Sequence, residues 1–319
     1  MSFTILQAAN FPAELRQKID SSVNVIGPFG LPVGAILSLD EAATVRVLIT
    51  MGTLITDAAV MDRLPNLGLV CCYGTGYEGV DLDAARKRGI MVTHSPAANA
   101  ASVADLAMAL LLAVTRRIVV ADKFVRDGSW KDQSAARMPL IRGLTGRRIG
   151  VFGLGAIGRK IADRAAAFEA EVSYHSRSPK LDVPYPFQES LQSLADWADV
   201  LMIAVRAGDT NRHVVDRRVL RALGQDGIVI NIARGSVIDE PVLIELLQSG
   251  QLGGAGLDVY EREPSVPDSL KALSNVVLTP HIGGGTADAH EAMQKLVVAN
   301  IMAYLARQPV KTPVPEFRG

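Results

Sequence analysis

The chain has 319 residues and a mass of 34.0 kDa, which at roughly 100–200 residues per domain means two domains rather than one. Hydrophobic residues make up 49% and charged residues 21%, a globular balance that argues against wholesale disorder. Lys+Arg and Asp+Glu both number 33, so the net charge is zero. That argues against nucleic acid or an anionic membrane as the main partner, because both select a basic excess.

The two cysteines, Cys71 and Cys72, are adjacent. Neighbouring cysteines pair only under strain, so a reducing compartment is expected. The start, Met1-Ser2-Phe3-Thr4-Ile5-Leu6-Gln7, has no basic stretch ahead of an apolar one and no signal-peptide pattern. The longest apolar run, 106–114, is too short to span a bilayer. The expectation is a soluble cytoplasmic protein.

In chain order, strands are predicted at 45–50, 67–73 and 89–93, then a long helical stretch over 98–127. A loop rich in Gly, Arg and Pro follows at 128–146. Further strands are predicted at 148–152, 171–175, 199–205, 227–232, 254–259 and 275–279. A last helix is predicted over 286–306, with Met293, Leu296, Val297, Ile301, Tyr304 and Leu305 at helical spacing. The tail 311–319, with two prolines, is expected to be loosely ordered. Most strands are unbroken apolar runs, the pattern of a parallel sheet covered on both faces, so the class is α/β.

The pattern G-x-G-x-x-G occurs twice, and context separates the two. Gly153-Leu154-Gly155-Ala156-Ile157-Gly158 directly follows the strand 148–152 and opens a helix with Ile157, Ile161, Ala165 and Phe168 on one face. There glycines serve a tight turn, close approach of a pyrophosphate and close helix–strand packing, and the helix N-terminus supplies free N–H groups. Arg159 and Lys160 add positive charge. Gly74-Thr75-Gly76-Tyr77-Glu78-Gly79 also follows a strand, but Glu78, Asp81 and Asp83 oppose a pyrophosphate. That turn is either a nest for one small carboxylate or a plain turn.

An NAD-binding unit carries an acidic residue about 20 positions past its glycines. Here the strand end reads Tyr174-His175-Ser176-Arg177-Ser178-Pro179-Lys180. Arg177 with flanking hydroxyls suits a 2′-phosphate, so NADP(H) is the expected cofactor; a solvated loop arginine is the alternative. Arg206, at the end of the next strand, is a candidate second phosphate ligand.

Reduction of a carbonyl needs a proton donor, a cation for the substrate carboxylate and a pocket that holds the reacting carbon. Candidates follow strand ends, where open α/β sheets form their ligand crevice. Arg234 lies in Asn231-Ile232-Ala233-Arg234-Gly235 and is either a bidentate clamp or solvated. His281 lies in Thr279-Pro280-His281-Ile282-Gly283, and Glu263 follows 254–259. A Glu beside a His stabilises the imidazolium, but sequence alone does not show contact. His94, His175, His213 and His290 are less promising. Neither a metal site nor serine hydrolase chemistry is expected, since H-E-x-x-H, C-x-x-C and G-x-S-x-G are all absent.

Together with the glycine loop, Asn231–Gly235, Asp258-Val259-Tyr260-Glu261-Arg262-Glu263-Pro264 and Pro280-His281-Ile282-Gly283-Gly284 resemble the ordered motif series of the D-isomer-specific 2-hydroxyacid dehydrogenases over nearly the whole chain. Within the family, the Ser-Arg-Ser and Glu-Arg-Glu-Pro stretches are most similar to NADPH-dependent glyoxylate/hydroxypyruvate reductases and to hydroxyphenylpyruvate reductases. The resemblance implies two doubly wound parallel-sheet domains: a discontinuous flavodoxin-like substrate domain of residues 1–98 and 285–319, and a Rossmann cofactor domain of 99–284. It implies an active site in the cleft between them and a homodimer formed through the cofactor domain. It gives Arg234 the substrate carboxylate, His281 the acid/base role with Glu263 as partner, and Thr75 and Gly76 backbone donors to the carboxylate. Gly153, Gly155, Ala156, Ile157, Gly158, Ser176, Arg177, Ser178, Arg206, Ile232, Ala233, Asp258, His281 and Gly283 would contact the cofactor, Asp258 through the nicotinamide carboxamide.

Two departures stand out. Val205-Arg206-Ala207 replaces the Pro-containing turn of many members, and Trp130 lies near a position that some reductases use to reach the partner's active site. The expected reaction is NADPH-dependent reduction of glyoxylate or hydroxypyruvate to glycolate or D-glycerate. The alternatives are an aromatic 2-keto acid reductase and a non-catalytic NADP(H)-sensing interaction protein of the same fold. Glu263 argues against formate dehydrogenases, which pair the histidine with Gln. Met51, Leu54 and Tyr77 are expected either to line the substrate side or to pack in the core.

Overall fold

A computed structural model describes residues 4–19, 23–28, 37–131, 140–206 and 208–318. They form two compact units, Met1–Asn99 with Gly284–Gly319, and Ala100–Gly283.

The first unit alternates strands and short helices: β1 (Thr4–Gln7), α1 (Ala13–Lys18), β2 (Asn24–Ile26), α2 (Leu39–Thr44), β3 (Val45–Thr50), α3 (Ala58–Asp62), β4 (Leu69–Cys72), α4 (Leu82–Lys87) and β5 (Met91–Thr93). The sheet order is β2-β1-β3-β4-β5. All its pairings are parallel, with Ile5 beside Val47 and Ile49 beside Cys71. Both faces are covered, which is why the strands read as apolar runs. Leu48, Val70 and Val92 meet Ala42, Val60, Met61 and Ala85 on one face. Ile5, Val47 and Leu69 meet Leu15 and the long helix Ala287–Leu305 on the other, through Met293, Val297 and Ile301. Polar N-caps start the helices: Asp57, Asp81 and Thr286 each accept a backbone N–H three residues on. Of the acidic residues around the first glycine turn, Asp81 caps α4 and Asp83 pairs with Arg86.

The second unit runs α5 (Ala100–Thr115), α6 (Ile118–Arg126), β6 (Arg148–Phe152), α7 (Ala156–Ala167), β7 (Glu171–His175), α8 (Leu191–Trp197), β8 (Val200–Ile203), α9 (Arg217–Ala222), β9 (Ile228–Asn231), α10 (Glu240–Gln248), β10 (Gly254–Leu257), α11 (Asp268–Lys271) and β11 (Val276–Leu278). Its parallel sheet is ordered β11-β10-β9-β8-β6-β7. Strand order reverses between β6 and β8, which puts a ligand crevice at the carboxyl ends of those strands. One face packs on α5 and α7 through Ala104, Ala107, Leu111, Ile161 and Ala165. The other packs on α8, α9 and α10 through Leu194, Leu220 and Leu246.

Three expectations change. The single helix predicted over 98–127 is two helices, separated where Arg117 takes a left-handed φ of 52°. β1 and β2 had no counterpart in the prediction. The tail is packed: Val314 is fully buried and its N–H bonds to Val92 O, Tyr77 Oη donates to Glu316, and Arg86 covers the Phe317 ring. Residues 132–139 of the predicted loop 128–146 lie outside the described residues.

Candidate functional site

In the second unit, three segments after the ends of β9, β10 and β11 build a cluster. Glu263 Oε2 meets His281 Nδ1 at 2.7 Å, and Glu263 Oε1 accepts the Tyr260 N–H at 3.1 Å. The two side chains are 34% and 37% exposed, so the pair reaches solvent. Burial pushes the Glu263 carboxyl up. The hydrogen bond and charge of His281, the Tyr260 N–H and the Arg234 guanidinium outweigh burial and hold it below its usual value.

The segment carrying His281 is held by two braces that sequence reasoning did not foresee. Asp258, 2% exposed, takes the Thr279 hydroxyl at 2.6 Å, the Ile282 N–H at 2.8 Å and the Gly283 N–H at 2.8 Å. Its own carbonyl accepts the His281 N–H at 2.9 Å. Tyr260 Oη donates to Thr279 O at 2.9 Å. Together they hold His281 at a φ of 54°, a left-handed backbone that a non-glycine residue keeps only when its surroundings over-determine it. A cavity of about 300 Å³ adjoins the pair, lined by Tyr260, Pro264, Val266, Leu278 and Pro280 together with Lys271.

Arg234 follows β9. Buried Asn231 shapes this turn: its amide donates to Arg234 O at 2.9 Å and its carbonyl accepts the Ala233 N–H at 3.0 Å. Gly235 is required because a Cβ would lie 1.8 Å from Tyr260 C and 2.2 Å from Glu261 N. This contact lays the Arg234 turn on the segment carrying Glu263. Arg234 is half-buried, and one guanidinium N–H bonds to Ala233 O at 2.7 Å. Ile232 and Ala233 are buried at the strand end.

The glycine loop fits a pyrophosphate. Gly153 takes a φ of +98°, and a Cβ on Gly158 would lie 1.9 Å from Gly153 O, so loop and helix pack in direct backbone contact. α7 begins at Ala156 and Ile157 with no side-chain cap at Gly155, beside which lies open space. Its first N–H groups therefore face outward for an anion. Arg159, expected to add charge there, is instead bound in a fork by Asp182, at 2.9 Å on both arms.

Past β7, Tyr174 Oη accepts the Lys180 N–H at 2.6 Å and pins the loop of Ser176, Arg177 and Ser178. Ser176 Oγ donates to Ser178 O. Arg177 is exposed, and no hydrogen bond or ion pair occupies it among the described residues. Arg206 is exposed, its carbonyl accepting from the Asn211 amide. Trp130 is 58% exposed. No group of three or more His, Cys, Asp or Glu that could hold a metal is found among the described residues, and no helix there is long and apolar enough to cross a membrane.

In the first unit, Thr75 and Gly76 follow β4. Thr75 Oγ1 donates to Asn99 Oδ1 at 2.9 Å, and Thr75 O meets His94 Nδ1 at 2.9 Å. The backbone N–H groups of Thr75 and Gly76 have no acceptor among the described residues. Tyr77 is 2% exposed and belongs to the core. Leu54 packs against that core, and Met51 is exposed.

Known proteins resemble this chain in sequence and in fold. Residues 108–283 match the family model described as D-isomer specific 2-hydroxyacid dehydrogenase, NAD binding domain. A hydroxyphenylpyruvate reductase of Plectranthus scutellarioides is 39% identical over 97% of this chain and 98% of its own length. A glyoxylate/hydroxypyruvate reductase of Arabidopsis thaliana is 38% identical over 98% and 99%. The crystal structure of an NADPH-dependent glyoxylate/hydroxypyruvate reductase from Sinorhizobium meliloti, in complex with NADP and malonate, superposes with a TM-score of 0.92 at 34% identity, covering 99% of this chain and 98% of that one. With the histidine–glutamate pair, the glycine loop and two parallel-sheet units all in place, the chain is an oxidoreductase of the D-isomer-specific 2-hydroxyacid dehydrogenase family.

Proposed function

We propose that the protein reduces small 2-keto acids, glyoxylate and hydroxypyruvate, to glycolate and D-glycerate with NADPH. The observation that carries this reading is the 2.7 Å Glu263–His281 pair, with Arg234 close enough to lower the Glu263 carboxyl. Arg234 binds the substrate carboxylate and polarises the keto group, and the N–H groups of Thr75 and Gly76 add donors to the carboxylate. His281 Nδ1 is committed to Glu263, so Nε2 delivers the proton to the developing alkoxide. The Glu263 carboxylate holds the imidazole correctly turned through Nδ1. A bound dihydronicotinamide supplies the hydride. Asp258, with three donors already on it, retains acceptor capacity for the carboxamide.

The unit Ala100–Gly283 is the cofactor domain in this reading, and the other the substrate domain. Gly153, Gly155, Ala156, Ile157 and Gly158 hold the pyrophosphate. Ser176, Arg177, Ser178 and Arg206 take the 2′-phosphate, supported by the unengaged Arg177 and by the absence of a carboxylate at the end of β7. Ile232, Ala233 and Gly283 flank the nicotinamide. A homodimer through the cofactor domain is supported by α6, which buries none of its residues and exposes Ile118, Val119 and Val125. Cytoplasmic residence fits two buried, unpaired cysteines.

A second reading, reduction of an aromatic 2-keto acid, is favoured by the apolar cavity beside the pair and by the hydroxyphenylpyruvate reductase relative. The test is NADPH oxidation at 340 nm with glyoxylate, hydroxypyruvate, pyruvate and phenylpyruvate, repeated with NADH. Faster turnover of the two small acids with NADPH is expected. A preference for phenylpyruvate selects the second reading. NADPH binding without turnover of any acid selects a sensing protein of the same fold.

A further inference from the structure

The loop 74–76 is held from behind by a relay of hydrogen bonds that begins far along the chain. Asn300, 1% exposed on the long helix 287–305, captures the tail: its carbonyl accepts the N–H groups of Lys311 at 2.8 Å and Thr312 at 2.9 Å, and its amide donates to Thr312 Oγ1 at 2.7 Å. Thr312 then grips His94 on both backbone groups. The His94 N–H donates to Thr312 O at 3.1 Å, and Thr312 Oγ1 donates to His94 O at 2.6 Å.

With its backbone held at both ends, the His94 ring is 2.9 Å from Thr75 O through Nδ1. A carbonyl only accepts, so Nδ1 carries the proton and donates. The same ring stands edge-on to Tyr77 with centroids 5.1 Å apart, and Tyr77 is tied to the tail by its bond to Glu316 at 2.8 Å. One imidazole thus touches both residues that flank Gly76. The bond to Thr75 O fixes the peptide plane between Thr75 and Gly76, and with it the direction of the Gly76 N–H. Thr75 itself is held through Oγ1, bonded to Ser95 O and Asn99 Oδ1, and the Ser95 N–H donates to Gly74 O at 2.7 Å.

We infer that His94 is a positioning residue for substrate binding: its Nδ1–H aims the Gly76 N–H at the carboxylate of the 2-keto acid, and the tail 311–318 holds His94 in place for that task. The inference rests on the reading of Thr75 and Gly76 as carboxylate donors. It predicts a change in substrate affinity without a matching change at the cofactor, because the relay lies wholly in the first unit.

The test compares wild type, His94→Phe and His94→Asn. Phe fills the space and keeps a ring for Tyr77 but has no donor. Asn places an amide N–H near the position of Nδ1. KM for glyoxylate and KM for NADPH are measured, together with amide hydrogen exchange of peptides covering 73–80. His94→Phe is expected to raise KM for glyoxylate about fivefold, the size of one neutral hydrogen bond, leave KM for NADPH within about twofold, and speed exchange in 73–80. His94→Asn is expected to restore most of both. A wild-type KM and wild-type exchange in His94→Phe overturn the inference. So does a His94→Asn protein that behaves like His94→Phe, because the donor would then be irrelevant. If the wild type turns over no 2-keto acid, the functional reading falls. Exchange then decides alone: faster exchange in His94→Phe, reversed in His94→Asn, supports the positioning role, and unchanged exchange overturns it.

Discussion

Replacing Glu263 by Gln tests whether the His281 partner acts through charge or only through position. The amide keeps the length of the side chain and an acceptor for His281 Nδ1, so the 2.7 Å geometry is retained while the negative charge is removed. A charge-assisted hydrogen bond contributes about 1.5–3 kcal/mol, against about 0.5–1.5 kcal/mol for a neutral one. With both side chains about a third exposed, solvent screening reduces the difference to about 1 kcal/mol. At 1.36 kcal/mol per tenfold in rate this is about fivefold.

Reduction needs the imidazolium and oxidation the neutral ring. Glu263→Gln should therefore lower kcat/KM for glyoxylate reduction about fivefold across its pH profile, because the imidazolium loses the opposing charge. At any one pH glycolate oxidation should fall by the same factor, because the two directions share one equilibrium constant. In the wild type the Glu263 carboxyl is held low, so the charge is present throughout such profiles. Its contribution to stability is present above the ordinary carboxylate range and is lost as pH falls through the lowered value. The assay follows NADPH at 340 nm in both directions from pH 5 to 10. Wild-type kcat/KM in Glu263→Gln would refute the charge argument and leave Glu263 a purely geometric support.

Three further outcomes follow from the same structure. Arg177→Asp should weaken NADPH binding at least tenfold while NADH binding changes by less than about threefold, since it replaces a donor for the 2′-phosphate by a charge that repels it; equal losses by fluorescence titration would remove Arg177 from the site. Gly235→Ala forces a Cβ against the Tyr260–Glu261 backbone and should cost about 2–3 kcal/mol, a fall in Tm of about 5–10 °C with loss of turnover; an unshifted melting curve would show that the contact relaxes freely. Cys71 is buried with its thiol pushed up to about 12, and Cys72 is pushed up still further by burial, so neither should react with a thiol reagent at pH 8 until the protein is denatured; fast labelling of native protein would contradict their burial.

Sequence patterning was informative where local residues settle the outcome. β3, β6 and β7 coincide with their predicted bounds because each is a run buried on both faces. The glycine loop was readable because Gly158 leaves room for nothing but the Gly153 carbonyl. β1 and β2, four and three residues long, are too short for a periodicity to register. The break at Arg117 has neither Gly nor Pro at the position that turns. At the site, Glu263, His281 and Arg234 were nameable one by one, but their convergence depends on strand order, which sequence does not display. The braces were invisible for a related reason: Asp258 and Tyr260 act on a segment some twenty residues away, and His94 acts on Thr75 across two strands. A clue was present at Asn231, a buried polar residue beside Arg234 that had to find partners within its own turn.

The nested connectivity of the two units carries a kinetic consequence. The second unit is one continuous stretch, while the first is completed only when the helix 287–305 returns to pack on β4. If the intervening chain were unfolded, bringing that helix back would close a loop of roughly 180 residues, an entropic penalty on the order of 4–5 kcal/mol. Once the insert has folded its ends are already fixed in space, and most of that penalty disappears. The architecture therefore imposes a schedule: the inserted unit matures first and its host closes afterwards.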